Sequence, residues 1–166
     1  MSEILVRPAR TADVRAIQEL VDTYSRDGRL LSKATVTLFE DIQEFLIAEL
    51  DGEVVGCGAL HVMWEDLAEV RTVAVAPAYA RRGIGSVLLT ALMERAREVG
   101  VQRVFCLTFM VRFFEAHGFV EIGETPVDHD VYQQLLQSYD EGVAEFLGLE
   151  RVKPNTLGNH RMLAVL

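Results

Sequence analysis

The stretch that most constrains this chain is Glu69-Val70-Arg71-Thr72-Val73-Ala74-Val75-Ala76-Pro77-Ala78-Tyr79-Ala80-Arg81-Arg82-Gly83-Ile84-Gly85-Ser86. It reads as a strand, a short basic turn with two glycines, and the start of a long helix. Val73 and Val75 flank Ala74 in a β-branched run suited to a buried or half-buried strand. Pro77 cannot donate to a ladder and ends it. After Gly83, Ile84, Val87, Leu88, Ala91 and Leu92 recur at helical spacing, and Gly100 marks the helix end. Gly83 and Gly85 let backbone approach a ligand, and the free N–H groups of a helix start suit a phosphate. Arg81 and Arg82 add positive charge at the same place. A strand feeding an anion cradle points to a nucleotide-like ligand.

The remaining residues have to build a domain around that unit. At 166 residues the chain is read as a single domain over residues 1–166, long enough for a real core. The net charge of −9 argues against non-specific binding of nucleic acid or anionic membranes. No apolar run reaches the ~18 residues of a membrane helix, and the N-terminus lacks a basic-then-apolar signal. The two cysteines, Cys57 and Cys106, sit in apolar strand-like settings without metal-ligand spacing. They read as reduced core thiols, which fits a cytoplasmic protein with no metal.

Taken in order, Ile4-Leu5-Val6 is a first strand. Thr11 is a plausible N-cap for a helix carrying Val14, Ile17, Leu20, Val21 and Tyr24. Thr35 opens a second helix read through Leu38, Phe39, Ile42 and Phe45. Leu46–Leu50, Asp51-Gly52 and Glu53-Val54-Val55 form a hairpin signal. Its second strand is expected to reach His61 or Val62, with Met63-Trp64-Glu65-Asp66 as an interruption. Further strands are predicted at Arg103–Phe109, Phe119–Ile122 and Met162–Leu166. A short helix is expected around Phe113–His117, and another through Val131, Leu135, Leu136 and Tyr139. This order gives an α/β (or α+β) domain with a mixed sheet.

Two segments together resemble the GCN5-related N-acetyltransferases (GNAT). Val-Ala-Val-x-Pro-x-Tyr-x-x-Arg-Gly-Ile-Gly resembles their acetyl-CoA motif. Phe113-Phe114-Glu115-Ala116-His117-Gly118-Phe119 resembles their second motif, at the matching distance of one helix and one strand. The Rossmann and P-loop alternatives fail, for want of a third glycine and of Lys-Ser/Thr after the glycines. The segments Leu31-Ser32-Lys33, Gly56–His61, Glu69–Val75, Leu107-Thr108 and Asn159–Leu163 are similar to the short N-acetylglutamate synthases of arginine biosynthesis. This resemblance implies a GNAT-like sheet of six to seven strands flanked by helices. It also implies acetyl-CoA as co-substrate and L-glutamate as the amino-acid acceptor.

The resemblance also implies roles for particular residues. Backbone N–H groups of Arg81, Arg82, Gly83, Ile84, Gly85 and Ser86 would cradle the pyrophosphate. The edge of Val73, Ala74 and Val75 would pair with the pantetheine amides, and the N–H near Val75 would stabilise the oxyanion. Glu69 is the expected base, with His61 as its rival. Lys33, Arg71 and Arg161 are expected at the substrate carboxylates, with Arg151 and Lys153 as weaker candidates. Thr108 and Asn159 would add neutral hydrogen bonds. Arg71 is placed on one strand face with Glu69 and Val73 by simple alternation.

Two departures from the family pattern stand out. Ala80 occupies a position where relatives often carry Gln or Arg. Phe114 stands where many carry the tyrosine that protonates the leaving thiolate, so it is left to pack on pantetheine or core, and Tyr132, Tyr139 or water remain as donors. The acceptor alternatives are another amino acid, a polyamine or a protein N-terminus, and a non-catalytic acyl-CoA or amino-acid sensing module is the other class. A homodimer is expected from apolar residues in excess of a small core.

Overall fold

The computed structural model describes residues 3–27, 29–30, 32–148 and 159–166. Seven strands form one mixed sheet: β1 (Leu5–Pro8), β2 (Phe45–Leu50), β3 (Glu53–Trp64), β4 (Leu67–Val75), β5 (Arg103–Thr108), β6 (Val120–Glu121) and β7 (His160–Val165). Their order is β1-β2-β3-β4-β5-β7-β6. The helices are α1 (Val14–Ser25), α2 (Thr35–Glu40), α3 (Ile84–Val99), α4 (Val111–Glu115), α5 (His129–Leu135) and α6 (Glu141–Leu147).

Helix α3 covers one face of the sheet, burying Ile84, Leu88 and Leu92. Gly56 and Gly58 on β3 permit that approach. A Cβ on Gly56 would stand 2.9 Å from Leu88 Cδ1, and one on Gly58 would stand 2.7 Å from Leu92 Cδ1. The opposite face carries two separate clusters. Val14, Ile17, Val21 and Leu38 of α1 and α2 pack over the β2–β3 half. Leu135, Val143 and Phe146 of α5 and α6 pack over Phe105 and Leu67. Phe146 meets Phe105 edge-on, with centroids 4.8 Å apart. A gap is left between the two clusters.

The sheet opens at the same place. Parallel pairing of β4 with β5 covers only Leu67–Arg103, Ala68–Val104 and Glu69–Phe105, while β4 runs on to Val75. On its other side β4 stays paired with β3, but one residue is extra: Cys57 faces Ala74 and Ala59 faces Arg71. The extra residue is Thr72, held at φ 57. A β-branched residue in the left-handed region is strained and marks a deliberate bulge.

The bulge overturns the expected alternation. Val70 and, beyond Thr72, Val73 and Val75 pack toward α3. Glu69 and Arg71 face the other way, so Val73 does not share their face. Inserting one residue into a strand flips every later side chain.

Other expectations shift for local reasons. The second helix stops at Glu40, and Ile42–Glu44 is a separate 3-10 turn, because Phe45 is drawn into β2. Strand β3 continues through Met63 and Trp64: Met63 is the extra residue of a second bulge, Trp64 pairs with Leu67, and both pack toward α6. Thr11 begins a 3-10 turn instead of capping α1; Asp13 stands at the N-cap of α1 without a side-chain cap bond, its carboxylate accepting from Arg10 N at 2.7 Å and held by Arg7. The Val131–Tyr139 reading becomes α5 alone, with α6 beyond it.

Candidate active site

The cradle takes its shape from two left-handed residues, Arg81 at φ 64 and Gly83 at φ 81. The first hydrogen bond into α3 runs from Val87 N to Gly83 O (3.1 Å). The N–H groups of Ile84, Gly85 and Ser86 precede it and have no place in the helix ladder. Ile84 is buried and anchors the turn, while Arg81 and Arg82 are exposed beside it. Phe113 of α4 lies against Gly85, and His117 Nε2 is 3.0 Å from Ser86 Oγ. His117 was not singled out from the sequence.

The open edge of β4 leads from this cradle into the gap. Ala76 N donates to Val55 O (2.8 Å), so Gly56 and Val75 are a non-hydrogen-bonded pair. The N–H and C=O of Val75, and by alternation those of Val73, therefore point away from β3. Ala74 turns its polar atoms toward Cys57 on β3, so the expected three-residue edge reduces to Val73 and Val75. The Tyr24 hydroxyl, from the end of α1, donates to the Val75 carbonyl on that edge.

Between the two helical clusters lies a cleft of about 600 Å³. Lys33, His61, Glu69, Arg71 and Asn159 all line it. So do Asp140 and Glu145 of the α6 segment, which sequence reasoning missed. Asp140-Glu141 beginning a helix and Gly142 inside it were the available signals.

Arg71 is the centre of a charge network. Its Nε donates to Glu69 Oε1 (2.8 Å), and Nη1 and Nη2 donate to both Asp140 oxygens (2.8 and 2.7 Å). Asp140 also caps α6 by accepting from Val143 N (2.9 Å). His61 Nδ1 lies 2.7 Å from Glu44, and its Nε2 is 3.8 Å from Asp140. Glu69 is 4 % exposed. Burial pushes its carboxyl above the usual range, Arg71 opposes this, and Asp140 reinforces it. Burial would also raise Asp140, but the Arg71 guanidinium outweighs it and holds Asp140 well below the usual range. Burial pushes Glu145 up to about 8, aided by the Glu69 charge.

Several expected site residues are engaged elsewhere. Arg161 donates to the carbonyls of Phe146 and Glu145, with its guanidinium over the Phe105 ring, and is not among the cleft-lining residues. It props α6. The Thr108 hydroxyl accepts from Met110 N (2.8 Å), closing the turn after β5. Phe114 is buried under α3 between Phe113 and Phe119, each ring edge-on at 5.2 Å. Tyr139 is almost fully exposed at the cleft mouth. Arg151 and Lys153 lie outside the described residues.

Residues 14–119 match the family model of the acetyltransferase (GNAT) family. The chain belongs to the GNAT family. It is an acetyl-CoA-dependent N-acetyltransferase, and the open edge of β4 with the Gly83 cradle fits that co-substrate. An amino-acid acetyltransferase of Mycobacterium tuberculosis is 57% identical over 98% of this chain and 94% of its own length. The structure of Rv2747 from Mycobacterium tuberculosis, in complex with CoA and NLQ, superposes with a TM-score of 0.94 at 57% identity, covering 98% of this chain and 99% of that one. The N-acetylglutamate synthase of Neisseria gonorrhoeae, complexed with coenzyme A and N-acetyl-glutamate, shares the fold at a TM-score of 0.79 and 24% identity. This chain spans 36% of it.

Proposed function

We propose that this GNAT enzyme transfers acetyl from acetyl-CoA to the α-amine of an amino acid, with L-glutamate as acceptor, the N-acetylglutamate synthase step of arginine biosynthesis. The observation that carries the reading is the 57% identity, across nearly the whole chain, to an enzyme named amino-acid acetyltransferase. Cationic Lys33 lines the cleft at the open edge of β4 and offers a partner for an acceptor carboxylate.

Acetyl-CoA supplies an activated acetyl group when bound. The residues of this chain supply orientation and proton handling. N–H groups at Arg81–Ser86 hold the phosphates, and Val73 and Val75 offer backbone partners along the open edge. The Val75 N–H would stabilise an oxyanion there. An amino acid's ammonium must lose a proton before it can attack, and Glu69 is the base, its raised pKa bringing it nearer the amine's. Arg71 fixes Glu69 in place and has few donors left for a substrate carboxylate. Lys33 therefore takes that carboxylate.

One observation favours a second acceptor class. The described cleft lining has six acidic residues, Glu40, Asp41, Glu69, Asp140, Glu141 and Glu145, against the cations Arg29, Lys33 and Arg71. Such an excess suits an acceptor with fewer carboxylates than glutamate. A thiol-release assay with acetyl-CoA across the twenty amino acids and simple polyamines decides between them. Selective turnover of glutamate is expected. Preference for cationic acceptors would transfer the assignment to the second class, and silence across the panel would overturn the acceptor assignment.

A further inference from the structure

Two acidic groups in the cleft, Asp41 and Glu145, are half-buried with neither an ion pair nor a hydrogen bond to the carboxyl among the described residues. Glu69 and Asp140 are committed to Arg71, while Glu40 and Glu141 are exposed. Asp41, at the end of α2, shares the α2 side of the cleft with Lys33, whereas Glu145 lies on α6. Glu145 is half-buried on the inner side of α6, yet among the described residues its carboxyl has neither an ion pair nor a hydrogen bond. A carboxylate withdrawn from water without a partner is costly, and the cost is relieved by a cation.

The groups that act on it are Glu69 and Arg71 from β4, Lys33 from the segment before α2, and Glu141 from its own helix. Arg161 of β7 touches only the Glu145 backbone carbonyl. The Arg71 charge is already balanced twice over. Lys33 is the one cation in that set not already paired, and among the described residues it makes no ion pair with Glu145. A second acceptor group is in the same position: Asn159 Oδ1 is buried, lines the cleft and has no hydrogen-bond partner among the described residues.

We infer that Glu145 is the docking site for the acceptor's ammonium group, with Asn159 Oδ1 as a second acceptor of its N–H bonds. Lys33, on the α2 side of the same cleft, is left for the carboxylate. The two side chains then read the two charges of a zwitterion, and Glu69 takes the proton once the amine is seated. This rests on the amino-acid reading above and deepens it.

The inference has a thermodynamic signature. The free Glu145 carboxyl holds its proton up to about pH 8. An arriving ammonium stabilises the ionised form, so binding near pH 7 must expel that proton. Calorimetric titration of the CoA-saturated enzyme with L-glutamate, in buffers of different ionisation enthalpy, counts protons released. Wild-type enzyme is expected to release somewhat under one proton more than Glu145→Gln at pH 7. The variant should bind about tenfold more weakly or worse, the scale of one hydrogen bond to a charged group. Glu145→Asp, which keeps the charge, should retain the proton release and shows that a failing Gln variant is not merely misfolded.

A parallel titration uses n-butylammonium, which has the ammonium and no carboxylate. Proton release with n-butylammonium but no binding of L-glutamate would remove glutamate as acceptor and leave the Glu145 site standing. Binding of L-glutamate with equal affinity and equal proton release in wild type and Glu145→Gln would overturn the Glu145 site and leave the acceptor standing.

Discussion

Gly142 lies so close to Glu69 that a Cβ built on it would stand 2.8 Å from the carboxyl oxygen Oε1. The same carbon would be 2.6 Å from Arg71 Cζ. Helix α6 can seat itself on the buried pair only because position 142 has no side chain. Gly142→Ala should force the pair or the helix aside, at a cost of about 1–3 kcal/mol for overpacking. We expect a lower midpoint in urea and at least a tenfold loss of kcat/KM for the acceptor. Wild-type values for both would show that α6 moves freely against β4.

Asp140 gives the fold an acid sensitivity. Its native pKa lies below that of an unfolded aspartate, so the unfolded chain takes up the proton first as pH falls. The stabilisation is therefore complete above the ordinary value near ~4 and is lost as pH drops through the depressed native value. Asp140→Asn should lower stability at neutral pH and flatten the pH dependence below about pH 4. Denaturant melts at a series of pH values measure this, and an unchanged acid slope would remove Asp140 as its source.

Gly83 separates backbone strain from crowding. A Cβ there meets nothing within 4 Å, but the residue sits at φ 81. Gly83→Ala is expected to cost roughly 1–2 kcal/mol, the penalty of an L-residue in the left-handed region. The cradle should loosen, weakening acetyl-CoA affinity while KM for the acceptor holds. Calorimetry with CoA and steady-state kinetics separate the two, and a selective rise in acceptor KM would refute the cradle assignment.

Neither cysteine is poised to carry an acetyl group. Cys57 and Cys106 are buried, and burial pushes the Cys57 thiol up to about 12 and that of Cys106 higher still. Transfer should be direct, with initial-rate patterns that require both substrates bound together. Native enzyme incubated with labelled acetyl-CoA alone should retain no label on either thiol. Parallel-line kinetics with label on Cys57 or Cys106 would falsify direct transfer.

The local elements were legible in the sequence because their signals are local. Asp51-Gly52 marks its hairpin, Pro77, Gly83 and Gly100 punctuate the strand–turn–helix, and paired glycines with a second aromatic motif identify the family. The cradle needs only backbone N–H groups at one helix start, so its residues could be read in order. The acceptor cleft could not be. One extra residue, Thr72, parts Val73 from Glu69 and Arg71, and no periodicity shows where a bulge will fall. Asp140 and Glu145 lie some seventy residues from Glu69, and the packing of Phe146 on Phe105, with Arg71 and Arg161 holding α6, brings them to it. Arg161 shows the converse: its place in a family pattern suggested substrate, but the carbonyls of α6 were nearer. The sequence alone thus determined the strand, turn and helix start proposed to grip acetyl-CoA, because such a grip is made by the backbone. Only the tertiary structure decided which charges meet in the cleft, because a buried charge takes the partner that packing leaves within reach.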